Sequence, residues 1–281
     1  MRVFVLGNAS RPGVTAEVER WLPLLKESAE VLLVDLRQER DLSAFPDADL
    51  AFVFGGDGAI LRAARQMGYR QVPVLGVNLG RLGFLADVHP QDFRRSFELI
   101  LQANYRTTRH LMFECVVAVD GQPAQTILGL NEVVVHAVPP MRMLDLELEI
   151  DGTVVSRFSG DGLIVSSPIG STGHNLSAGG PILEQELSAF VVTPICPHTL
   201  TFRPVVESAE KSYTIRLHRT AEQAAVVVDG QTAAQVGAQH RILIRKAPVA
   251  FRLVKVAGQT YYQTLRDKLR WGTTPSYRGE P

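Results

Sequence analysis

Two stretches of this chain combine glycines, hydroxyls and isolated carboxylates in a way that suits phosphate and nucleotide chemistry. Gly55-Gly56-Asp57-Gly58 follows the apolar run Leu50-Ala51-Phe52-Val53-Phe54 and precedes a segment of helix formers. Glycines let backbone N–H groups approach phosphate oxygens closely, and a helix N-terminus adds a favourable dipole. Asp57 is the only charged side chain in that turn. A carboxylate there repels phosphate unless it holds a metal or takes a proton, so the pattern points to phosphoryl chemistry rather than passive anion binding. The same four residues also read as a plain strand-to-helix turn with an N-capping Asp. The second stretch, residues 160–181, packs one carboxylate, five Ser/Thr hydroxyls, an amide and six glycines into 22 residues. Such a surface suits a polar, planar ligand lying against the backbone. Turn-forming residues alone account for part of it, yet a loop of this length without function is uncommon.

Weaker signals accompany these two. Asn131-Glu132 opens the apolar run Val133-Val134-Val135. An amide can read a base edge with one donor and one acceptor, and a carboxylate can accept from two ribose hydroxyls. Neighbours on a regular strand face opposite ways, so both reach one ligand only where the backbone is irregular. Val226-Val227-Val228-Asp229-Gly230-Gln231 reads first as a hairpin turn, and residues 78–85 follow a strand and could line the same cleft as Asp57. GxxxxGK[ST], HExxH and GxSxG are missing, and no GxGxxG follows an expected strand. A Walker-type loop, zinc proteolysis, serine hydrolysis and a standard hydride-transfer dinucleotide site therefore lose their usual supports.

The elements that must position these residues change character along the chain. Apolar runs at 3–6, 31–34, 50–54 and 72–77 alternate with helical patterns at 14–27, 59–67 and 90–103. Pro23 should kink or shorten the first helix, and Pro73 sits near a strand start, where it is tolerated. Strands alternating with helices imply a doubly wound parallel sheet. Past Tyr105 the strands succeed one another. Residues 144–150 alternate strictly, with Leu144, Leu146 and Leu148 on one face, buried in a core or at a subunit contact, and acids on the other. Asp-Gly pairs at 120–121, 151–152 and 229–230 mark hairpins. The expected fold is an α/β N-terminal domain over residues 1–105, then an all-β, antiparallel layered sandwich over 106–260. A helix and tail over 261–281 would pack back on the first domain, and the ligand would bind between the two domains. A helical interruption follows Thr172, and residues 273–281 read as a polar tail.

Composition narrows the function classes. The 281 residues are 46% hydrophobic and 21% charged, an ordinary globular balance. Lys plus Arg and Asp plus Glu both number 29, so the net charge of zero gives no bulk attraction to nucleic acid or to an anionic membrane. No apolar run approaches the length of a membrane span, and no secretory signal opens the chain. The two cysteines, Cys115 and Cys196, cannot form a disulfide framework and read as small core residues. A cytoplasmic protein is expected.

Taken in order, these elements resemble the bacterial NAD kinases over roughly residues 3–271. Gly-Gly-Asp-Gly is shared with lipid kinases and phosphofructokinases, whereas residues 160–181 follow the NAD kinase pattern closely; residues 76–85 and 194–204 reinforce it. The resemblance implies transfer of the γ-phosphate of ATP to the 2′-hydroxyl of the adenosine ribose of NAD, with a divalent metal, Mg²⁺, and with polyphosphate as a possible replacement donor. It implies that Asp57 activates that hydroxyl and that Gly55, Gly56, Gly58 and Arg62 lie near phosphate. It places Asn131 and Glu132 on adenine and ribose, Arg142 beside the nucleotide, and Asp161 on the nicotinamide half. Thr172, Gly173, His174, Asn175, Leu176 and Ser177 would run along NAD, Gln231 would touch it from the Asp-Gly-Gln turn, and Cys196 would sit beside the nicotinamide pocket. Ser159 stands where relatives often carry a basic residue, whose phosphate contact Arg157 could supply; Ile169 stands where they carry a hydroxyl, His174 where many carry Tyr and Gly173 where Ala is common. Relatives form dimers and tetramers, so a homodimer or homotetramer is expected. A catalytically silent NAD-binding regulatory protein and a lipid kinase of the same superfamily are the alternatives.

Overall fold

The computed structural model describes residues 1–80, 83–86, 88–139, 142–218, 223–256 and 261–272. The polar tail expected at 273–281 lies outside the described residues. The chain divides into two compact units. The first comprises residues 1–67, 72–108 and 252–281, and the second comprises 68–71 and 109–251.

The first unit is built on a parallel sheet. Strands β1 (Arg2–Gly7), β2 (Glu30–Asp35), β3 (Leu50–Phe54) and β4 (Val74–Val77) lie in the order β2-β1-β3-β4. The end of a late strand, residues 252–255, joins β4 in parallel through Leu253 and Val74. Helix α1 (Val14–Ser28) buries Val14, Val18, Trp21 and Leu25 at helical spacing. It runs through Pro23 and is not shortened there. Proline removes one helix hydrogen bond at an exposed position, while the buried Trp21 and Leu25 on either side hold the helix to the sheet. Helix α2 (Asp57–Met67) starts two residues earlier than its helix-forming composition suggests, so Asp57 lies in its first turn. Pro90–Asp92 forms a 3₁₀ turn ahead of α3 (Phe93–Leu101).

Strand alternation distributes these helices to both faces of the sheet. Val3, Val5, Phe52 and Phe54 pack with Val14, Trp21, Phe93 and Phe97, from α1 and α3. Helix α2 covers the other face over Gly76, where a Cβ would stand 2.6 Å from Ile60 Cδ1. The sheet is therefore wound on both sides, as the alternation of elements predicts.

The second unit is a sandwich of antiparallel sheets. Its strands are β5 (Arg106–Val119), β6 (Gln125–Gly129), β7 (Glu132–Ala137), β8 (Leu144–Ile150), β9 (Thr153–Gly160), β10 (Gly162–Ser166), β11 (Ala189–Ile195), β12 (Val205–Ser208), β13 (Tyr213–Leu217), β14 (Ala224–Val228), β15 (Gln231–Val236) and β16 (His240–Lys255). One layer runs β16-β13-β8-β9, with β5 paired to β16 and β6; the other runs β12-β11-β10-β7-β14-β15. Leu144, Leu146 and Leu148 of the first layer meet Val133, Val135, Leu163 and Val165 of the second in one core. All three Asp-Gly pairs lie at hairpin connections. At 151–152 and 229–230 both residues take positive φ, as tight two-residue turns require; at 120–121 only Gly121 does, within a longer loop. After β10 a 3₁₀ turn (Gly170–Thr172) leads to the single-turn helix α4 (His174–Ser177). Helix α5 (Tyr261–Leu269) closes the described chain and belongs to the first unit.

Candidate active site

The first unit carries a cleft of about 470 Å³ at the carboxyl ends of its strands. It is lined by Asn8, Arg11 and Pro12 after β1, Gln38 after β2, Gly55 and Gly56 after β3, Gly58, Ala59 and Arg62 of α2, and Asn78, Leu79 and Gly80 after β4. From β1 the chain passes to β2 on one side and then to β3 on the other. Loops diverge at such a switch point and leave a crevice, which is where open α/β sheets bind ligands. Gly55 has φ +149°, and a Cβ there would meet Ala59 Cβ at 2.8 Å; Gly56 and Gly58 face open space. At Gly56 and Gly58 the cleft wall is bare backbone, with Arg11 and Arg62 as exposed cations beside it. That combination fits a polyphosphate.

Asp57 does not line this cleft. Its carboxylate accepts the backbone N–H of Phe84 at 2.8 Å, of Leu85 at 3.0 Å and of Ala86 at 3.1 Å. Gly83 makes this approach possible, because a Cβ on it would lie 2.1 Å from Asp57 Oδ1. Residues 78–85 therefore divide their work: Asn78, Leu79 and Gly80 line the cleft, and Gly83 to Leu85 hold Asp57, while positions 81 and 82 lie outside the described residues. The Asp57 side chain keeps 30% of its surface exposed, and Lys268 Nζ stands 3.8 Å from Oδ2.

In the second unit the backbone at Asn131-Glu132 is irregular in the manner two-sided recognition needs. The Asp229 carboxylate accepts three successive N–H groups, from Leu130 at 2.9 Å, Asn131 at 2.7 Å and Glu132 at 3.2 Å. A regular strand cannot aim consecutive N–H groups at one acceptor. Ser167 N–H and the Ser166 hydroxyl donate to the Asn131 carbonyl, and the Ser167 hydroxyl donates to Leu130. Gly170 crosses so closely that a Cβ would lie 2.2 Å from the Asn131 oxygen. Residues 166–173 and the Asn-Glu pair are thereby brought together. Asn131 Oδ1 and Glu132 Oε2 are both buried without a donor. Burial, and then the negative Asp229, push the Glu132 carboxyl up to about 7.

The other residues singled out in the sequence fall at several places in this unit. Asp161 and Cys196 meet, the thiol donating to the carboxylate, which raises the thiol above its usual range. Cys196 is exposed and has φ +44°, which corrects its reading as a core residue; Cys115 is buried, its thiol pushed up to about 12 by burial. Gly173, His174 and Ser177 are exposed, and Thr172 and Leu176 half-buried. Asn175 lies inside the loop. It is fully buried, donates both amide hydrogens to the Ser171 and Pro181 carbonyls and accepts the Thr193 hydroxyl, so it shapes the loop from within. Ile169 is buried. Ser159 donates to Asp145, and Arg157, itself exposed, is paired with the buried Glu147 at 2.6 Å. Arg142 and Gln231 are exposed, at the approach to β8 and at the start of β15.

Sequence reasoning missed Asn8, Arg11 and Gln38 in the cleft, Asp229 as an anchor, and Lys268. The position of Asn8 just past β1 was the available signal for the first group, since strand ends at the switch point line the crevice. Lys268 lies more than 200 residues from Asp57, and nothing local announces it.

Comparison with known proteins follows this division. Residues 14–105 match the ATP-NAD kinase N-terminal domain, and residues 130–256 match the ATP-NAD kinase C-terminal domain. The NAD kinase of Rhodopirellula baltica is 42% identical over 96% of this chain and 86% of its own length. That of Geotalea daltonii is 39% identical over 92% and 94%. Among solved structures, an NAD kinase from Archaeoglobus fulgidus in complex with ATP superposes with a TM-score of 0.78 at 30% identity, covering 96% of this chain and 99% of that one. Yeast NADH kinase complexed with NADH shares the fold, with a TM-score of 0.89 at 21% identity, covering 100% and 90%. The chain belongs to the NAD kinase family.

Proposed function

We propose that this protein is a phosphotransferase that moves the γ-phosphoryl group of ATP to the 2′-hydroxyl of the adenosine ribose of NAD, giving NADP and ADP. The observation that carries this reading is the glycine-lined, doubly cationic cleft at the N-terminus of α2, in a chain of this family. In this reading the donor's phosphates take the N–H groups of Gly56 and Gly58 and the guanidinium groups of Arg11 and Arg62. Asn131 holds adenine and Glu132 the ribose, their unpartnered acceptors receiving the donors that the ligand brings. Thr172 to Leu176 and Ser177 form the wall along NAD, Asn175 from inside it, with Asp161, Cys196, Arg142 and Gln231 as outer contacts.

Asp57 is already hydrogen-bonded through both oxygens, which fixes its direction. It orients the hydroxyl, and it accepts the proton as the new O–P bond forms and the bond to the β-phosphate oxygen breaks. Phosphoryl transfer depends chiefly on alignment and charge neutralisation, so a firmly held weak base suffices. Among the described residues no group of three His, Cys, Asp or Glu side chains is placed to hold a metal. Mg²⁺ is commonly bound by substrate phosphates, water and one or two carboxylates, so the ion belongs here to the donor, as MgATP. No described helix is long and apolar enough to cross a membrane. A homodimer or homotetramer in the cytoplasm completes the reading, with the family resemblance as its support.

The test is direct. Purified protein with NAD and MgATP should form NADP, detected by an NADP-specific dehydrogenase. Asp57→Asn should lower kcat by about 10²–10⁴, the range of a lost general base, with NAD affinity near wild type. A variant with full turnover would remove Asp57 from the chemistry. Binding of NAD without transfer in the wild type would instead indicate a silent binding protein, and phosphorylation of sphingosine or diacylglycerol a lipid kinase.

A further inference from the structure

Helix α5 reaches Asp57. Lys268 Nζ stands 3.8 Å from Asp57 Oδ2, and its side chain is 28% exposed. The same ammonium lies 4.3 Å from the centroid of the Phe84 ring. Phe84 is also the residue whose N–H donates to Asp57 Oδ2. Its ring is flanked by Tyr261 from the first turn of α5, with centroids 6.5 Å apart. Thr264 and Leu265, the buried residues of that helix, lie on the face that carries Tyr261 and Lys268. One aromatic residue thus ties the backbone donor, the carboxylate and the lysine into a single array. Its parts come from α2, from the segment before α3 and from the last helix of the described chain.

The geometry points to Lys268 as a positioning residue for phosphoryl transfer, its ammonium held on Phe84 so that it fixes Asp57 and offsets the negative charge that a polyphosphate would otherwise meet there. This rests on the reading of Asp57 given above. Asp57 sits one residue from Gly56 and Gly58, whose surroundings open to the cleft, and a donor with several negative charges must come close to it. Like charges at short range oppose that approach. A lysine at 3.8 Å reduces the opposition, and the cation–π contact keeps its flexible stem from wandering. An ion pair this exposed adds little to folding. A purely structural role therefore predicts almost no effect of its loss, whereas the positioning role predicts an effect on turnover.

Lys268→Met, Lys268→Gln and Lys268→Arg would be assayed with NAD and MgATP alongside Asp57→Asn and the double variant Asp57→Asn/Lys268→Met. The expected result is a fall in kcat of about 10–100-fold in both neutral variants, with KM for NAD within about 2-fold and the melting temperature within about 2 °C of wild type. Lys268→Arg should recover most of the turnover. In the Asp57→Asn background Lys268→Met should cost almost nothing further, because two groups acting as one unit are not additive. Unchanged kcat in both neutral variants overturns the proposal, and so does an equal loss in the two backgrounds or failure of arginine to rescue a folded protein. If Asp57→Asn itself turns over fully, the reading of Asp57 fails first; if it is impaired while Lys268→Met is not, only the role of Lys268 falls.

Discussion

Glu132→Gln tests whether the chain holds a carboxylate in readiness for substrate. Glu132 is 7% exposed, its Oε2 has no donor, and Asp229 lies close enough to oppose its ionisation. Burial first, and then Asp229, raise its carboxyl from 4.5 to about 7. In the unfolded chain this group loses its proton near 4.5, and in the folded chain it keeps it to about 7. Folding is therefore favoured by this group at low pH, and that contribution declines as pH rises from 4.5 to about 7 and stays lost above. Each pH unit in that window is worth about 1.4 kcal/mol, which gives about 3 kcal/mol in all. Glutamine keeps the shape and cannot ionise. Urea unfolding of both proteins between pH 4.5 and 8.5 isolates the effect, because other titrating groups are common to the two. The variant should gain about 3 kcal/mol relative to wild type between the ends of the range. A stability difference that stays constant with pH would refute the reasoning. The same group should respond to ligand. Ribose hydroxyls donated to Glu132 favour its ionised form, so NAD binding near pH 7 should release protons from wild type and none from the variant, as calorimetry in buffers of different ionisation enthalpy would record.

Two further changes separate the proposed donor contacts of the first unit from the proposed NAD contacts of the second. Arg11→Ala removes a cation from the cleft lining and should raise KM for ATP by about 10-fold with KM for NAD unchanged, measured by initial rates with each substrate varied; an effect on NAD alone would contradict the placement of the donor. Asp229→Ala leaves the N–H groups of Leu130, Asn131 and Glu132 without their acceptor. Charge-assisted hydrogen bonds contribute about 1.5–3 kcal/mol each and are not additive, so a loss of about 3 kcal/mol in urea unfolding and a raised KM for NAD are expected, with Asp229→Asn in between; an alanine variant of wild-type stability and KM would show that the turn is only a turn.

How far the sequence reveals this molecule depends on the range over which each feature is encoded. The parallel sheet is legible because its strands and helices are set by local apolar spacing, and both faces of α/β winding follow from the order of elements. Asp151-Gly152 and Asp229-Gly230 are legible for the same reason, since the dipeptide itself supplies the two positive φ values. Asn131 and Glu132 could be singled out by residue type, but the device that turns both from regular strand geometry could not. It is the carboxylate of Asp229, nearly a hundred residues away, and its own neighbours suggest only a hairpin. Asn175 is the opposite case. Its type and place in a hydroxyl-rich loop suit ligand binding, yet a loop so rich in small residues has backbone carbonyls to satisfy, and this amide bridges two of them. Asp57 combines both situations. The glycines around it mark a phosphate turn from local sequence alone, but the direction of its carboxylate is decided by the N–H groups of residues 84–86, by the bare Cα of Gly83 and by a lysine near the far end of the chain. Local pattern therefore locates the chemistry, and tertiary hydrogen bonding decides which atoms are free to perform it. For this chain that distinction turns Asp57 from a free carboxylate into a tethered one, whose direction is set by the fold itself.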